Sequence, residues 1–283
     1  MSDATREATD GRSRVPRPAA AAPGRSTWVA SLFRRYLPPA LLTLCGVGLW
    51  ELIVRLAHVP EYLLPTPSEI AVDMKTDWPV LEPALLVTLR EILLGFVISA
   101  VAGVGLALLL HLFPVVRRAV YPLLIGSQTI PIIVLAPILV ILLGYGIMPK
   151  LVIVATICFF PIVINGIDGL RSVDGELITM MRTLDASRWA ILRRVEFPAA
   201  LPSIFSGMRI AATFAAIGAV FGEWSGSNQG LGYVMLAATP NLLTTRIFAA
   251  IVCLTVIALA LFGAVSLLER IFVPWASRGN PMT

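Results

Sequence analysis

Charged residues are scarce in this 283-residue chain. Asp, Glu, Lys and Arg make up 14% of the sequence, whereas soluble domains carry about 25%, and the mean hydropathy is +0.85. This composition excludes an ordinary soluble domain and indicates an integral membrane protein. The formal net charge of +5 is not arranged as a basic face interleaved with aromatic residues, so no nucleic-acid partner is predicted.

Cysteine, histidine and the common catalytic motifs are also rare or missing. The three cysteines are widely separated within apolar runs, so they form neither a zinc-site spacing nor a disulfide framework and are predicted to be packing residues. His58 and His111 are predicted to lie at membrane interfaces. The chain has no P-loop, H-E-x-x-H or G-x-S-x-G motif. We therefore expect no bound metal or cofactor and no enzyme activity, and any use of ATP would require a separate ATPase subunit.

Long apolar stretches dominate the chain. A helix needs about 20 apolar residues to span the hydrocarbon core of a membrane. Six stretches are predicted to do so: residues 38–57, 92–113, 121–143, 151–167, 203–221 and 247–268. Lys and Arg accumulate on the cytoplasmic side, and placing the N-terminus inside puts 16 of them in inside segments and five outside. The sequence thus predicts an all-α membrane protein with six transmembrane helices and both termini in the cytoplasm.

The ends of the chain differ from this core. Residues 1–36 are rich in Arg, Ala, Pro and Ser and are predicted to be a disordered cytoplasmic tail. Residues 37–276 form the predicted membrane domain, and 277–283 a second cytoplasmic tail. The outer loop between the first two spans contains LLPTPSEI, with Thr66 or Ser68 as a predicted helix cap. It is either a surface helix or a place that receives a partner.

The segment of residues 171–202 is basic and polar between two apolar runs. It carries five arginines, which is unusual in a loop of a membrane protein. It resembles the cytoplasmic loop of permease subunits of ABC importers, which has the form E-A-A-x-x-x-G, nine residues, then I-x-L-P. Those positions fall on Thr179, Met180, Met181, Asp185, Val195, Phe197 and Pro198, so the first half departs from the family and the second half follows it. The run LDASRWAILRRVEFPAALPSIFSGMRIA is similar to the nitrate, sulfonate, taurine and thiamine-precursor branch.

The resemblance implies a type I ABC importer architecture in a bacterial cell membrane, with a coupling helix that docks on the ATPase. Two ATPase subunits, an extracytoplasmic substrate-binding protein and a second permease copy are the implied partners. Gly175, Asp185 and Pro198 are predicted to divide the segment into two short amphipathic helices, and Asp185 tolerates the left-handed backbone that a turn requires. An amphipathic helix lying on lipid is the alternative. The docking residues are Thr179, Met180, Met181, Leu184, Asp185, Ala186, Ser187, Arg188, Trp189 and Pro198.

Polar groups within spans are the candidates for a translocation path, because burying them in lipid is costly. Pro131 and Pro137 predict a kinked third span with Gln128 and Thr129 facing a cavity. Asn165 lies near the inner end of the fourth span, and the fifth is predicted to bring Glu223 and Trp224 to the outer surface. The GEW element resembles permeases for aromatic heterocycles. Trp224 would stack on a ring and Glu223 would bind its amine, although Trp224 is equally an aromatic-belt residue.

Three classes of function remain open on the sequence. The leading class is the permease of an ATP-driven importer, with a thiamine-type pyrimidine or similar heterocycle as cargo and an aliphatic sulfonate, taurine or nitrate as the alternative. An ion-coupled secondary transporter would need ionisable residues at mid-membrane, whereas those of the predicted spans lie near their ends. A membrane enzyme or receptor has no motif to support it.

Overall fold

The computed structural model describes the backbone of residues 25–275 and the side chains of residues 37–275. This part of the chain contains α-helices, one π-helical turn and one 3-10 turn, and no strand. The α-helices are α1 (Arg25–Leu56), α2 (Pro67–Thr76), α3 (Trp78–Leu112), α4 (Pro114–Ser127), α5 (Ile132–Leu143), α6 (Ile147–Arg171), α7 (Gly175–Thr183), α8 (Arg188–Ile191), α9 (Phe197–Trp224), α10 (Leu231–Ala238) and α11 (Thr244–Phe272). The all-helical prediction is confirmed.

Within the described part of the chain, five helices are long and apolar enough to cross a membrane, and the pair α4 and α5 makes a sixth span if it is counted as one. This agrees with the six predicted spans, but the third is not the single kinked helix that was expected. Its two halves meet at an angle of 100°, because the break falls just before Pro131, which cannot continue a helix through its missing N–H.

Helix α1 extends further towards the N-terminus than predicted. It begins at Arg25, so residues 25–36 are helical rather than part of a disordered tail, and that part of the prediction is wrong. Apolar residues recur there at helical spacing in TWVASLF, which the composition of the whole tail obscured. Residues 1–24 and 276–283, the rest of the predicted tails, lie outside the described residues.

The segment from residue 53 onwards is built around three long helices. α6 packs along α9 and α3, and α11 packs on α9. Small residues permit this close approach: a Cβ on Gly207 would lie 2.6 Å from the carbonyl oxygen of Pro161, and one on Gly95 would lie 2.6 Å from the side chain of Val154. Small residues at helix crossings are typical of membrane bundles. Cys158 and Cys253 are buried here as predicted, whereas Cys45 of α1 is exposed.

Several predicted loop residues are in fact helical. The loop between the first two predicted spans contributes α2, where Thr66 forms a capping box with Glu69, so the expected cap is confirmed. α3 begins at Trp78 and α6 at Ile147, so that Arg90 and Lys150 belong to spans and not to loops. Arg209, expected at a helix start, lies within α9 and forms an ion pair with Glu269 of α11.

Pro198 does not end a helix. α8 continues through a π-helical turn (Leu192–Glu196) into α9, with Pro198 in the first turn of α9. The N–H of Phe197 reaches the carbonyl of Leu192, one residue further than in an α-helix, and such a change of register accommodates a residue that has no N–H. Residues 188–224 therefore form one helical rod. We call the end of the spans next to residues 171–202 the basic end, and the other end the opposite end.

Candidate functional site

The predicted docking residues lie together at the basic end. α7 carries Thr179, Met180 and Met181, and the turn to α8 consists of Leu184, Asp185, Ala186 and Ser187. Asp185 has φ +55°, so the left-handed turn that the sequence suggested is present. The N–H of Ala186 binds the carbonyl of Met181 at 3.1 Å and that of Asp185 binds Arg182 at 3.0 Å. This is the Schellman pattern that closes a helix, with Asp where glycine is usual.

Apolar side chains project from this turn. Leu184 is 68% exposed, Trp189 64% and Met180 60%, and Leu177 is exposed as well. Ser187 caps α8 by accepting a hydrogen bond from the N–H of Ala190, so the turn between the two helices is fixed. A fixed apolar surface at a polar loop is typical of a site of association. We call these four side chains the apolar tip.

The base of the segment is tied to the membrane helices. Arg188 donates a hydrogen bond of 2.8 Å to the carbonyl of Leu112, which ends α3. His111 contacts Glu196 at 2.9 Å between Nε2 and Oε2. Leu192 is buried in a cluster with residues of α3, α6 and α9. Arg188, Glu196 and Leu192 therefore connect the segment that carries the apolar tip to α3, α6 and α9.

The bend between α4 and α5 borders a cavity of about 320 Å³. Its walls come from the bend, from α6 and from α9, and they include Gln128, Thr156, Phe160, Pro161 and Phe214. Thr129 is exposed in the bend but does not line the cavity, and its hydroxyl donates to the carbonyl of Gly126. Asn165 lies one turn beyond Pro161 and donates to its carbonyl at 2.8 Å. The structure thus brings Gln128 to a cavity and leaves Thr129 and Asn165 outside its wall.

Glu223 is fully buried, so its predicted position at the outer surface is wrong, whereas its predicted contact with cargo stays a prediction. Its side chain is fully buried, and it accepts hydrogen bonds from the hydroxyl of Thr88 at 2.6 Å and from the N–H of Gly232. Thr88 in turn accepts from the N–H of Leu231 at 2.8 Å. Two of the free N–H groups that begin α10 are satisfied in this way. A Cβ on Gly230 would clash with the Glu223 carboxylate, which explains why the residue directly before α10 is a glycine.

Trp224 remains partly accessible. It is 41% exposed at the opposite end, its Nε1 donates to the carbonyl of Gly232 at 3.0 Å, and its ring meets Phe221 edge to face. Trp224 therefore stays a candidate for the outer mouth of a path, whereas its neighbour Glu223 holds α10 in place.

A buried polar cluster next to Glu223 was missed from the sequence. Lys150 of α6 donates to Glu91 of α3 at 2.6 Å, with side-chain exposures of 9% and 2%. Lys150 packs against Gly222, beside Glu223. We call Thr88, Glu91, Lys150 and Glu223 the buried polar cluster. Glu91, Lys150 and Glu223 stand near the same ends of three predicted spans, and this placement could have indicated the cluster. It was missed because Lys150 and the neighbouring Arg90 were assigned to loops.

Two further cavities lie at the opposite end. One of about 720 Å³ is lined by polar residues of α3, α6 and the loop after α9, among them Arg90, Asn228 and Gln229. The other, of about 290 Å³, is lined by acidic residues of the α2 region, including Glu61 and Asp73. Burial, and then the negative charge of Asp77, raise the pKa of the Asp73 carboxyl above its ordinary value. These are exposed polar surfaces that a soluble protein could contact.

Comparison with known proteins is consistent with this architecture. Residues 95–278 match the model of the family described as binding-protein-dependent transport system inner membrane component. The chain is 38% identical to the formylaminopyrimidine transport permease ThiX of Halalkalibacterium halodurans, over 86% of this chain and 97% of that protein. It is 35% identical to the riboflavin transport system permease RibX of Chloroflexus aurantiacus, over 84% of this chain and 89% of that one.

Two more distant proteins are also similar to this chain, one by sequence and one by structure. The putative aliphatic sulfonates permease SsuC of Bacillus subtilis is 29% identical over 89% of this chain and 90% of its own length. Among solved structures, the MetNI methionine ABC transporter in an inward-facing conformation matches with a TM-score of 0.58 at 20% identity, covering 70% of this chain and 98% of the matched chain. At that identity the structural match concerns the fold alone.

Proposed function

The chain belongs to the family of binding-protein-dependent transport system inner membrane components, and on that premise we propose that it imports a small aromatic heterocycle, a thiamine-type pyrimidine ahead of a flavin. The family membership itself makes the chain a multi-pass inner-membrane permease subunit of an ABC importer and not an enzyme. Such a subunit works with an ATPase and a substrate-binding protein.

The cavity at the bend between α4 and α5 carries the proposal for cargo. Phe160 and Phe214 provide aromatic surface and Gln128 provides an amide that both donates and accepts hydrogen bonds. A mainly apolar cavity with a few polar groups suits a small planar ring, and it has no cationic side chain in its wall to attract a sulfonate. The two relatives above 30% identity that are named for heterocycles support this choice over the sulfonate alternative.

Uptake of labelled cargo tests the proposal. Phe214→Ala removes an exposed ring from the cavity wall, and stacking of a base on an aromatic side chain contributes about 1–3 kcal/mol in nucleic-acid sites. We expect about tenfold slower uptake of an aminopyrimidine, since 1.4 kcal/mol corresponds to a factor of ten. Gln128→Ala is expected to act in the same direction.

The matched control is Phe262→Ala, which removes a similarly exposed ring from α11, where it lines none of these cavities. Its uptake rate is expected to equal that of the wild type. Entry of an alkanesulfonate, a taurine or a nitrate without entry of the pyrimidine would disprove the cargo and favour the alternative. The permease assignment would be unaffected.

We propose that the apolar tip docks on the ATPase, and that the basic end and both termini are therefore cytoplasmic. Two copies of the chain would form the pore and present one tip to each of two ATPase subunits, because a single chain of six spans shows no internal sequence duplication. ATP would be bound and hydrolysed by those subunits alone. Crosslinking in membranes is expected to yield a dimer of this chain, and a pairing only with a different permease would contradict it.

A further inference from the structure

We propose that a cavity at the basic end binds the phosphate group of an anionic lipid. The cavity has a volume of about 280 Å³ and lies between the start of α4 and the end of α6. Six residues line it: Arg117, Arg118, Tyr121, Pro122, Ile167 and Arg171. The inference shares with the proposed function only the placement of this end of the spans in the cytoplasm.

The arginines of this cavity are not used inside the protein. Among the described residues, none of Arg117, Arg118 and Arg171 has an ion-pair partner. By contrast, Arg209 binds the carboxylate of Glu269 in α11, and Arg246 binds that of Asp77 between α2 and α3. Asp168, the nearest acidic residue along α6, is exposed and does not line the cavity. Three guanidinium groups around one cavity therefore favour binding of an anion from outside the chain. Phosphate is a suitable anion, because one guanidinium group can donate two parallel hydrogen bonds to two phosphate oxygens.

The lining is arranged in two layers. Each arginine stands four residues from an apolar or aromatic residue of the same helix, in the pairs Arg117 with Tyr121, Arg118 with Pro122, and Arg171 with Ile167. Residues four apart lie one turn, about 5–6 Å, from each other along a helix. α4 runs away from the basic end and α6 runs towards it, so in both helices the arginine is outermost and its partner is one turn deeper.

This layering distinguishes a lipid from a free anion. A phospholipid places its phosphate at the membrane surface and the start of its acyl chains about one turn deeper, which matches charge above an apolar floor. Basic pockets between spans on the cytoplasmic side are suited to anionic headgroups. Ile167 belongs to the core cluster that also holds Leu192 of the segment of residues 171–202, and Tyr121 packs against that cluster. An occupied cavity would therefore brace α4 against α6 next to that segment.

Lipid retention measured by native mass spectrometry tests the proposal. The full-length permease is purified and exposed to equal amounts of phosphatidylglycerol and phosphatidylcholine. We expect the wild type to retain phosphatidylglycerol preferentially, and Arg118→Gln with Arg171→Gln to reduce that preference about thirtyfold, since each of the two basic residues near an anionic surface contributes about 1 kcal/mol. The charge-preserving pair Arg118→Lys with Arg171→Lys is expected to keep part of it.

The matched control is Arg193→Gln with Arg194→Gln, which removes the same charge from exposed arginines at the same end that do not line the cavity. An equal loss in this control, or no loss in the cavity variant, would overturn the proposal.

Competition with inorganic phosphate at millimolar concentration is the second experiment. Displacement of the lipid by phosphate, together with stabilisation of the wild type but not of the cavity variant, would assign the site to a free anion instead. The readout is independent of ATPase docking, so either proposal can fail alone.

Discussion

The two ends of the spans treat polar and apolar groups in opposite ways. At the opposite end, Glu223, Glu91 and Lys150 are buried and bonded to one another's helices or to α10. At the basic end, apolar side chains such as Leu184 and Trp189 are exposed, and three arginines surround a cavity without an internal partner. Charged groups that pair with each other inside the chain, such as Lys150 and Glu91, indicate a structural role. Arginines without an ion-pair partner among the described residues indicate that something else binds there.

The largest effect on stability is expected from Lys150→Met. It leaves the Glu91 carboxylate buried without its cation, and breaking a buried pair in this way costs about 3–5 kcal/mol. The midpoint of thermal denaturation in detergent should fall by about 10 °C. The double change Glu91→Gln with Lys150→Met should recover part of the loss. Glu91, Lys150 and the exposed Arg90 all line the cavity of about 720 Å³. Arg90→Met should change the midpoint little, and an equal fall there would contradict the assignment.

The second largest effect is expected from Leu184→Asp. This variant should weaken association with the ATPase and have little effect on folding. Leu184 is 68% exposed in the apolar tip, so a charge there costs the free chain little but opposes burial against an ATPase. We expect binding of the purified ATPase to weaken about tenfold, or about 1.4 kcal/mol. Tyr145→Asp introduces the same charge at an 85% exposed position of the opposite end. If both variants bind the ATPase as the wild type does, the tip is not the docking surface.

A smaller effect is expected from Asp185→Gly. Asp185 has φ +55° in the turn between α7 and α8, and glycine adopts this conformation without the steric cost of a Cβ. The variant should be more stable by up to about 1 kcal/mol, and Asp185→Val less stable by about 1–2 kcal/mol. Comparison of the two midpoints of denaturation checks the sign. Equal values would show that the left-handed turn is absent in solution.

The smallest expected effect concerns Asp73. Because its pKa is raised in the folded protein, the folded state holds the proton more tightly than the unfolded state. The free energy of unfolding then falls as the pH rises from the ordinary pKa of the carboxyl through the raised pKa. At neutral pH the charged carboxylate therefore destabilises the folded protein. Asp73→Asn should therefore be slightly more stable than the wild type at pH 7 and not at pH 3. A stabilisation that is the same at both pH values would exclude the carboxyl charge as its cause.

Features set by local sequence could be predicted. Runs of apolar residues located the spans, Thr66 with Glu69 announced a capped helix, and Asp185 at the place of a family glycine indicated a left-handed turn. Each of these depends on neighbours within a few residues. The cap and the number and order of the spans are therefore as predicted, whereas α3 and α9 begin earlier than their predicted spans and the third span is broken.

Features set by contacts between distant residues could not be predicted. Glu223 reads as the outer end of a span, and only its proximity to Thr88, 135 positions away, shows that it is buried. The pairing of Lys150 with Glu91 joins two helices in the same manner. In the sequence, Pro198 predicts the end of a helix. The π-helical turn that accommodates it was not predicted, because no residue pattern in the sequence marks such a turn.

The continuous rod of residues 188–224 also determines how movement could travel through this subunit. At 1.5 Å per residue it is about 55 Å long, and it is helical throughout from Arg188 to Trp224. A rod of this length acts as a lever: a tilt of about 5° at one end displaces the other by about 5 Å, given that length. The left-handed turn at Asp185 lies directly before this rod, so it would be the joint of such a lever.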